Sequence, residues 1–294
     1  MSAKPTLQMY NFIQDAYDFF NSRLFSGKLP PCLLTLQRDS NVMGYFSGDR
    51  WQKGKGEGTV HEIALNPQYF ITHRPLELMQ TLVHEMVHLW QHEFGKPSHR
   101  TYHNKEWADK MESIGLMPSS TGKPGGKRTG QKMSDYPIKN GAFYLQCVAF
   151  SKMGYQLPFY DRHAKTESTQ VRHNEPENLT AALEQILEEI AAEITAVVDS
   201  QVDTRLIEPY TEEDQRAEIS LMQPFSEQFD IDVAVLSEAQ EKEAASKRKT
   251  VYRCQSCGDK AWGKPSLDLW CGKCKVPFVK LSDGYDREVE TEVI

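Results

Sequence analysis

The stretch TLVHEMVHLWQHEFGKPSHRTYHNKEW, residues 81–107, holds five of the chain's nine histidines: His84, His88, His92, His99 and His103. His84 and His88 bracket Glu85 in the pattern His-Glu-x-x-His. On a helix, positions i and i+4 lie one turn apart, about 6 Å along the axis. Two imidazoles so placed can face one ion at Zn–N distances of about 2.0–2.1 Å. Glu85 follows the first of them and can reach a water on the metal without ligating the metal itself, which is the arrangement that supports metal-assisted hydrolysis.

A tetrahedral zinc with one open position needs a third protein ligand. His92 stands about 12 Å along the helix from His84, too far for both rings to hold one ion. The third ligand must come from chain that has left the helix and returned. Gly95 and Pro97 provide the exit, and His99, His103 and Glu106 are the candidates beyond it. A metzincin would need glycine where this chain has Gln91 and histidine where it has Phe94. His103 just precedes a helix predicted over KEWADKMESIGL, with Asn104 as its N-cap, and Glu106 falls in that helix's first turn.

Working outward, Pro75 fits the first turn of the long helix that carries the motif, and Met79, Val83, Met86, Val87, Trp90 and Phe94 make its apolar stripe. Leu7, Tyr10, Ile13, Tyr17, Phe20 and Leu24 recur at steps of three and four, which predicts an earlier amphipathic helix. CLLTLQR, VMGYFS and HEIALNP read as strands, with the turn-rich GDRWQKGKGEG between the last two. GAFYLQCVAF reads as a further strand. PSSTGKPGGKRTGQK, before it, reads as a flexible basic loop. Helices on a small sheet define an α+β catalytic domain over residues 1–160.

The chain has 294 residues and a net charge of −7, unevenly spread. Residues 1–160 carry 18 Lys and Arg against 13 Asp and Glu, and residues 251–280 carry 6 against 2. Residues 161–250 carry 9 against 21. Two basic bodies joined by an acidic connector suit a polyanionic partner. Within the connector, Leu179, Leu183, Ile186, Ile190, Ile194 and Val197 predict an amphipathic helix, and residues 200–249 read as linker. An acidic tail follows from 282 to 294. No apolar run approaches the roughly 18 residues of a membrane span. MSAKPTLQMY has no signal-peptide core, so a cytoplasmic protein is expected. Oligomeric state is not legible.

Four of the six cysteines cluster as Cys254-x2-Cys257 and Cys271-x2-Cys274, thirteen residues apart. That spacing predicts a closed four-thiolate zinc ribbon over residues 250–281, structural because the thiolates fill the coordination sphere. Lys260, Lys264, Lys273 and Lys275 lie among Trp262, Trp270 and Phe278. Cations among aromatics suit a nucleic-acid strand, although such rings also serve to pack a ribbon's small core. Lys123, Lys127, Arg128 and Lys132 are candidates for a second phosphate contact.

HEMVH, fourteen intervening residues, then HNKEW resembles the SprT-like (Spartan-like) zinc metalloproteases, whose third ligand is the histidine of an H-x-x-E-[F/W] motif. LFSGKLP after the first helix also resembles that family's opening. The resemblance spans roughly residues 5–118, plus a terminal zinc module. It implies a zincin-like fold, His84, His88 and His103 on a catalytic Zn2+, Glu85 as the catalytic residue, and peptide-bond hydrolysis. It further implies protein substrates bound or crosslinked to DNA. With the ribbon, the expected complement is one catalytic and one structural zinc.

Overall fold

The computed structural model describes residues 4–38, 42–99, 102–164, 211–247 and 249–281. They divide into two compact units, Met1–Asp232 and Val233–Ile294. The predicted helix over 179–197 and the acidic tail lie outside the described residues.

The first unit is α+β. Helix α1 (Pro5–Leu24) begins with proline at its first turn and buries Phe12, Ile13, Ala16, Tyr17 and Phe20 on one face. Leu7 and Tyr10, in its opening turns, stay exposed. Strands β1 (Leu33–Leu36), β2 (Gly44–Gln52) and β3 (Thr59–Leu65) form one sheet in the order β1-β3-β2. β3 is central, parallel to β1 and antiparallel to β2. β2 is an outer strand, and its register with β3 shifts between Ser47 and Trp51, a bulge that bends the strand. It runs further than the expected VMGYFS, because Trp51 and Gln52 re-pair with Val60 and Thr59 beyond the bulge.

Helix α2 (Pro75–Phe94) is the spine of the unit. Glu77 accepts the Arg74 backbone N–H at 2.8 Å and holds the helix start. Leu82, Val83, Met86, Val87 and Leu89 are fully buried, so the apolar surface wraps more of the helix than the predicted stripe. Phe94, at the end of that stripe, is exposed. Helix α3 (Lys105–Ser113) follows, capped by Asn104, whose Oδ1 accepts the Trp107 N–H at 3.0 Å. Strands β4 (Leu116–Ser119) and β5 (Ser134–Pro137) make a second, antiparallel pair. The basic segment between them is tightly turned rather than flexible. Ser119 Oγ donates to the Lys123 carbonyl at 2.6 Å, and the Ser120 N–H donates to the Lys127 carbonyl at 2.8 Å.

Further expectations are corrected. GAFYLQCVAF is helix α4 (Ala142–Lys152), not a strand. Its near-continuous apolar run hid the helical spacing of the buried Phe143, Cys147, Val148 and Phe150. Residues 212–228, expected within a linker, form helices α5 (Glu212–Met222) and α6 (Phe225–Gln228). Thr211 and Asp214 make a capping box at the start of α5, and Asp214 pairs with Lys152. Ala217, Leu221 and Phe225 enter the main core, and the Phe225 N–H donates to the His73 carbonyl at 3.0 Å. Three buried anchors suffice to fix an acidic segment whose remaining surface is solvated.

The second unit holds helix α7 (Val233–Lys247) and strands β6 (Thr250–Cys254), β7 (Lys260–Gly263) and β8 (Phe278–Lys280), in the order β7-β6-β8. α7 also falls where linker was expected. No helix among the described residues is long and apolar enough to cross a membrane.

Candidate metal centre

α2 places His84 and His88 one turn apart with ring centroids 5.1 Å apart. The chain leaves the helix at Gly95 and returns with His103, whose centroid lies 5.5 Å from that of His84 and 4.8 Å from that of His88. One ligand atom from each ring falls within 4.8 Å of the others. His88 Nε2 and His103 Nε2 are 3.1 Å apart. That separation is close to the edge of a zinc tetrahedron, about 3.3 Å for bonds near 2.0 Å.

The ring nitrogens away from the centre are anchored. His84 Nδ1 lies 2.8 Å from Asp135 Oδ2 on β5, and His103 Nδ1 lies 3.2 Å from the Gly130 carbonyl. Donating Nδ1–H to those acceptors leaves Nε2 as the lone-pair nitrogen facing inward, the ligand tautomer. His103 and Gly130 also exchange both backbone hydrogen bonds, so the basic loop buttresses the third histidine. Trp107, fully buried, floors the site with its ring 4.4–5.5 Å from all three imidazoles.

Gln91 explains how the chain returns. Its side-chain amide donates to Asn104 Oδ1 at 2.7 Å and to Glu106 Oε2 at 2.9 Å. Glu106 Oε2 also accepts the Lys96 N–H at 2.7 Å, and Asn104 Nδ2 donates to the Lys96 carbonyl at 3.0 Å. Glu106 therefore ties the loop, and His99 is exposed. Gly95 is required by this closure, since a Cβ there would sit 2.6 Å from Glu106 Oε2.

Glu85 is 8 % exposed. Burial raises its carboxyl pKa, against the lowering effects of His84 and of the Phe46 backbone N–H that it accepts from β2. Burial holds His103 down at about 4 and His88 well below the ordinary imidazole value, so both are neutral near pH 7. Burial also opposes charge on His84, but the Asp135 hydrogen bond and the nearby Glu85 outweigh it and raise the pKa.

Three other carboxylates of this unit are engaged elsewhere. Glu62 accepts from Thr35 at 2.6 Å, Glu77 caps α2, and Asp109 pairs with Lys105 and Arg128. The carboxylate that orients His84, Asp135, is 51 positions away and carries no local signal.

In the second unit, Cys254, Cys257, Cys271 and Cys274 bring their sulfurs within 4.8 Å of one another. Cys257 and Cys271 are 3.6 Å apart, near the roughly 3.8 Å edge of a four-thiolate zinc site. Backbone N–H groups, that of Cys257 foremost, lower the Cys254 thiol to about 7. The small core beneath the sheet is Tyr252, whose hydroxyl donates to the Lys264 carbonyl at 2.6 Å. Trp262 and Trp270 take no part in that core, at 64 % and 68 % exposed. Lys260, Lys264 and Lys275 are exposed nearby in sequence, and Lys273 pairs with Asp259 at 2.9 Å. In the first unit, Lys123, Lys127 and Lys132 are exposed, whereas Arg128 is engaged by Asp109 and Glu112.

An α+β body with His-Glu-x-x-His on its central helix, and a third histidine returned beside it, is zincin-like. Residues 13–125 match the model of the SprT-like family. Over 59 residues the chain is 51 % identical to a Salmonella typhimurium protein described as an uncharacterized protein in the mucB 3' region, covering 20 % of this chain and 80 % of that one. The chain belongs to the SprT-like family. No solved structure matches it.

Proposed function

We propose that this chain is a zinc metalloendopeptidase, with His84, His88 and His103 holding the catalytic ion and Glu85 acting as general base. The observation that carries the reading is the convergence of three imidazoles, two of them anchored through Nδ1, beside a buried glutamate. Two neutral rings and a third fixed by Asp135 make a donor set suited to Zn2+ with one position left open. Bound there, zinc would polarise a peptide carbonyl and acidify a water molecule. Glu85, its pKa raised by burial, takes the water's proton and passes it to the leaving amine. β2 is an outer strand of its sheet, and an extended peptide can align along it.

The ribbon's four cysteines supply a structural zinc site in the same proposal, and most of the module's folding energy comes from that ion. Exposed Trp262 and Trp270 among Lys260, Lys264 and Lys275 favour a single-stranded nucleic acid, stacked on the rings and neutralised by the lysines. The preferred substrates are then proteins bound or crosslinked to DNA, met in the reducing cytoplasm where the thiols remain metal ligands.

The test is cleavage of a DNA-bound protein by the parent and by Glu85→Gln at equal zinc content. Loss of cutting in the variant with zinc retained supports the peptidase. Equal cutting by both removes Glu85 from the chemistry, and cutting by neither favours a nucleic-acid-binding protein without activity.

A further inference from the structure

The far end of β2 is held by pairing rather than by packing. Beyond its bulge the strand continues as a hairpin with β3, Trp51 opposite Val60 and Gln52 opposite Thr59. The Lys53 N–H and Gln52 Nε2 both donate to the Gly58 carbonyl at 2.9 Å. Lys55, Gly56 and Gly58 hold φ of 60°, 75° and 98°, which folds the turn back on itself. Every residue from Asp49 to Thr59 is exposed. Phe46 packs on the core of the unit, whereas Trp51 leaves 46 % of its surface to water. A rigid hairpin thus presents a large ring that the fold does not use.

Cations surround that ring. Side chains alternate across a strand, so Trp51 shares a face with its partner Val60, and Lys53, two positions on in extended backbone, falls on the same face. Arg50 reaches toward that face too: its Nε lies 3.9 Å from Glu62, two positions from Val60, while 64 % of its side chain stays exposed. Lys53 and Lys55 are exposed and have no carboxylate partner among the described residues. Glu57 is the one acid between Arg50 and Gly58. The Asp49 carboxylate does not offset them, since Thr59 and His92 engage it. An acidic peptide would answer the charge but give the indole nothing flat to stack on. A nucleic-acid strand supplies both, phosphates for the cations and a base for the ring.

We propose that the β2–β3 hairpin binds a single-stranded nucleic acid through Arg50, Trp51, Lys53 and Lys55, a contact in the first unit separate from the ribbon's. Phe46, whose N–H meets Glu85, stands five positions before Trp51, so at most about 18 Å of extended chain separates the two residues. A protein carried on a strand held there is kept at high local concentration near Glu85. That consequence rests on the peptidase reading, whereas the contact itself does not.

The experiment is fluorescence anisotropy of a labelled oligothymidylate with the full chain, in the parent and in a Trp262→Ala background that removes one ribbon ring. Trp51→Ala should weaken binding at least about fivefold in both, the lower end of the range for one stacked base. Lys53→Gln with Lys55→Gln should weaken it as well and flatten its log–log salt dependence by about 1.4, two phosphate contacts on a single strand. Trp51→Phe keeps an aromatic face and should bind at least about twofold more tightly than Trp51→Ala. Unchanged circular dichroism and melting temperature check the fold of each variant. Parent-like affinity in Trp51→Ala or in the double lysine variant overturns the proposal, as does Trp51→Phe no tighter than Trp51→Ala. Equal competition by polyglutamate and by unlabelled oligonucleotide also overturns it, because charge alone would then account for binding. Cleavage is not read, so failure here leaves the Glu85 chemistry standing.

Discussion

His84 Nδ1 and Asp135 Oδ2 lie 2.8 Å apart, joining the first motif histidine to a strand 51 residues later. The pair fixes which His84 nitrogen faces His88 and His103 and how the ring is turned. Asp135→Asn should therefore lower zinc affinity at this centre by about 10–100-fold, since the orienting partner of a ligand histidine carries that order of effect. Competition with a chromophoric chelator checks it, and unchanged affinity would mean that packing on Trp107 alone orients the ring.

The return loop rests on Gln91. Gln91→Ala leaves Asn104 and Glu106 without their shared donor, in a position that is 3 % exposed. The expected cost is about 1–3 kcal/mol of stability, read as a lowered melting temperature, together with weaker zinc binding because His103 loses its anchor. Gly95→Ala should act in the same direction by pushing Glu106 away. Normal zinc affinity in both variants would show that the His103–Gly130 pairing suffices.

Helix α5 is part of the folded body. Leu221 is fully buried, and Leu221→Ala should destabilise the first unit by about 2–5 kcal/mol. Chemical denaturation followed by tryptophan fluorescence measures this. A change within about 0.5 kcal/mol would show that 212–228 docks only loosely.

Acid should weaken the metal-free chain. His103 titrates at about 4 in the fold and His88 well below the usual value, while unfolded imidazoles take up protons near pH 6.5. Between about pH 6.5 and 4 the unfolded state binds more protons through these two residues, so stability rises with pH across that window. His84 acts oppositely: its raised pKa contributes stability in acid that is lost as pH rises through the folded value. Glu85, its pKa raised by burial, acts with His84, but the larger downward shifts of His88 and His103 prevail, so the chelated chain should melt at a lower temperature at pH 5 than at pH 7.5. The reverse order would contradict the burial of His88 and His103.

The ribbon prediction concerns its rings. Trp262→Ala should weaken single-stranded DNA binding by roughly 1–3 kcal/mol, the range for one stacked base, without loss of the cysteine-bound zinc. Fluorescence anisotropy with a labelled oligonucleotide reads it, and equal affinity would assign the exposed tryptophans some other partner.

Local patterns were legible where the physics is local. The i, i+4 histidines, the Asn104 cap and the two Cys-x2-Cys turns each follow from neighbouring residues. Helical geometry sets His92 apart from His84 along α2, yet it could not show that a β2 bulge brings Asp49 to that ring. Asp135 and Gly130 were invisible for the same reason, since strand pairing and a long loop deliver them from afar. α4 was misread because an apolar run has no contrast to reveal its period. α5 was missed because two or three buried residues amid acids make too weak a stripe.

The most direct measurement is an anomalous difference map, at the zinc absorption edge, from crystals of the full chain grown with Zn2+. The account predicts a peak about 2.0–2.1 Å from Nε2 of each of His84, His88 and His103, with Glu85 beside it and outside bonding distance. A peak confined to the four cysteines, or a His103 ring turned away from its two partners, would contradict it.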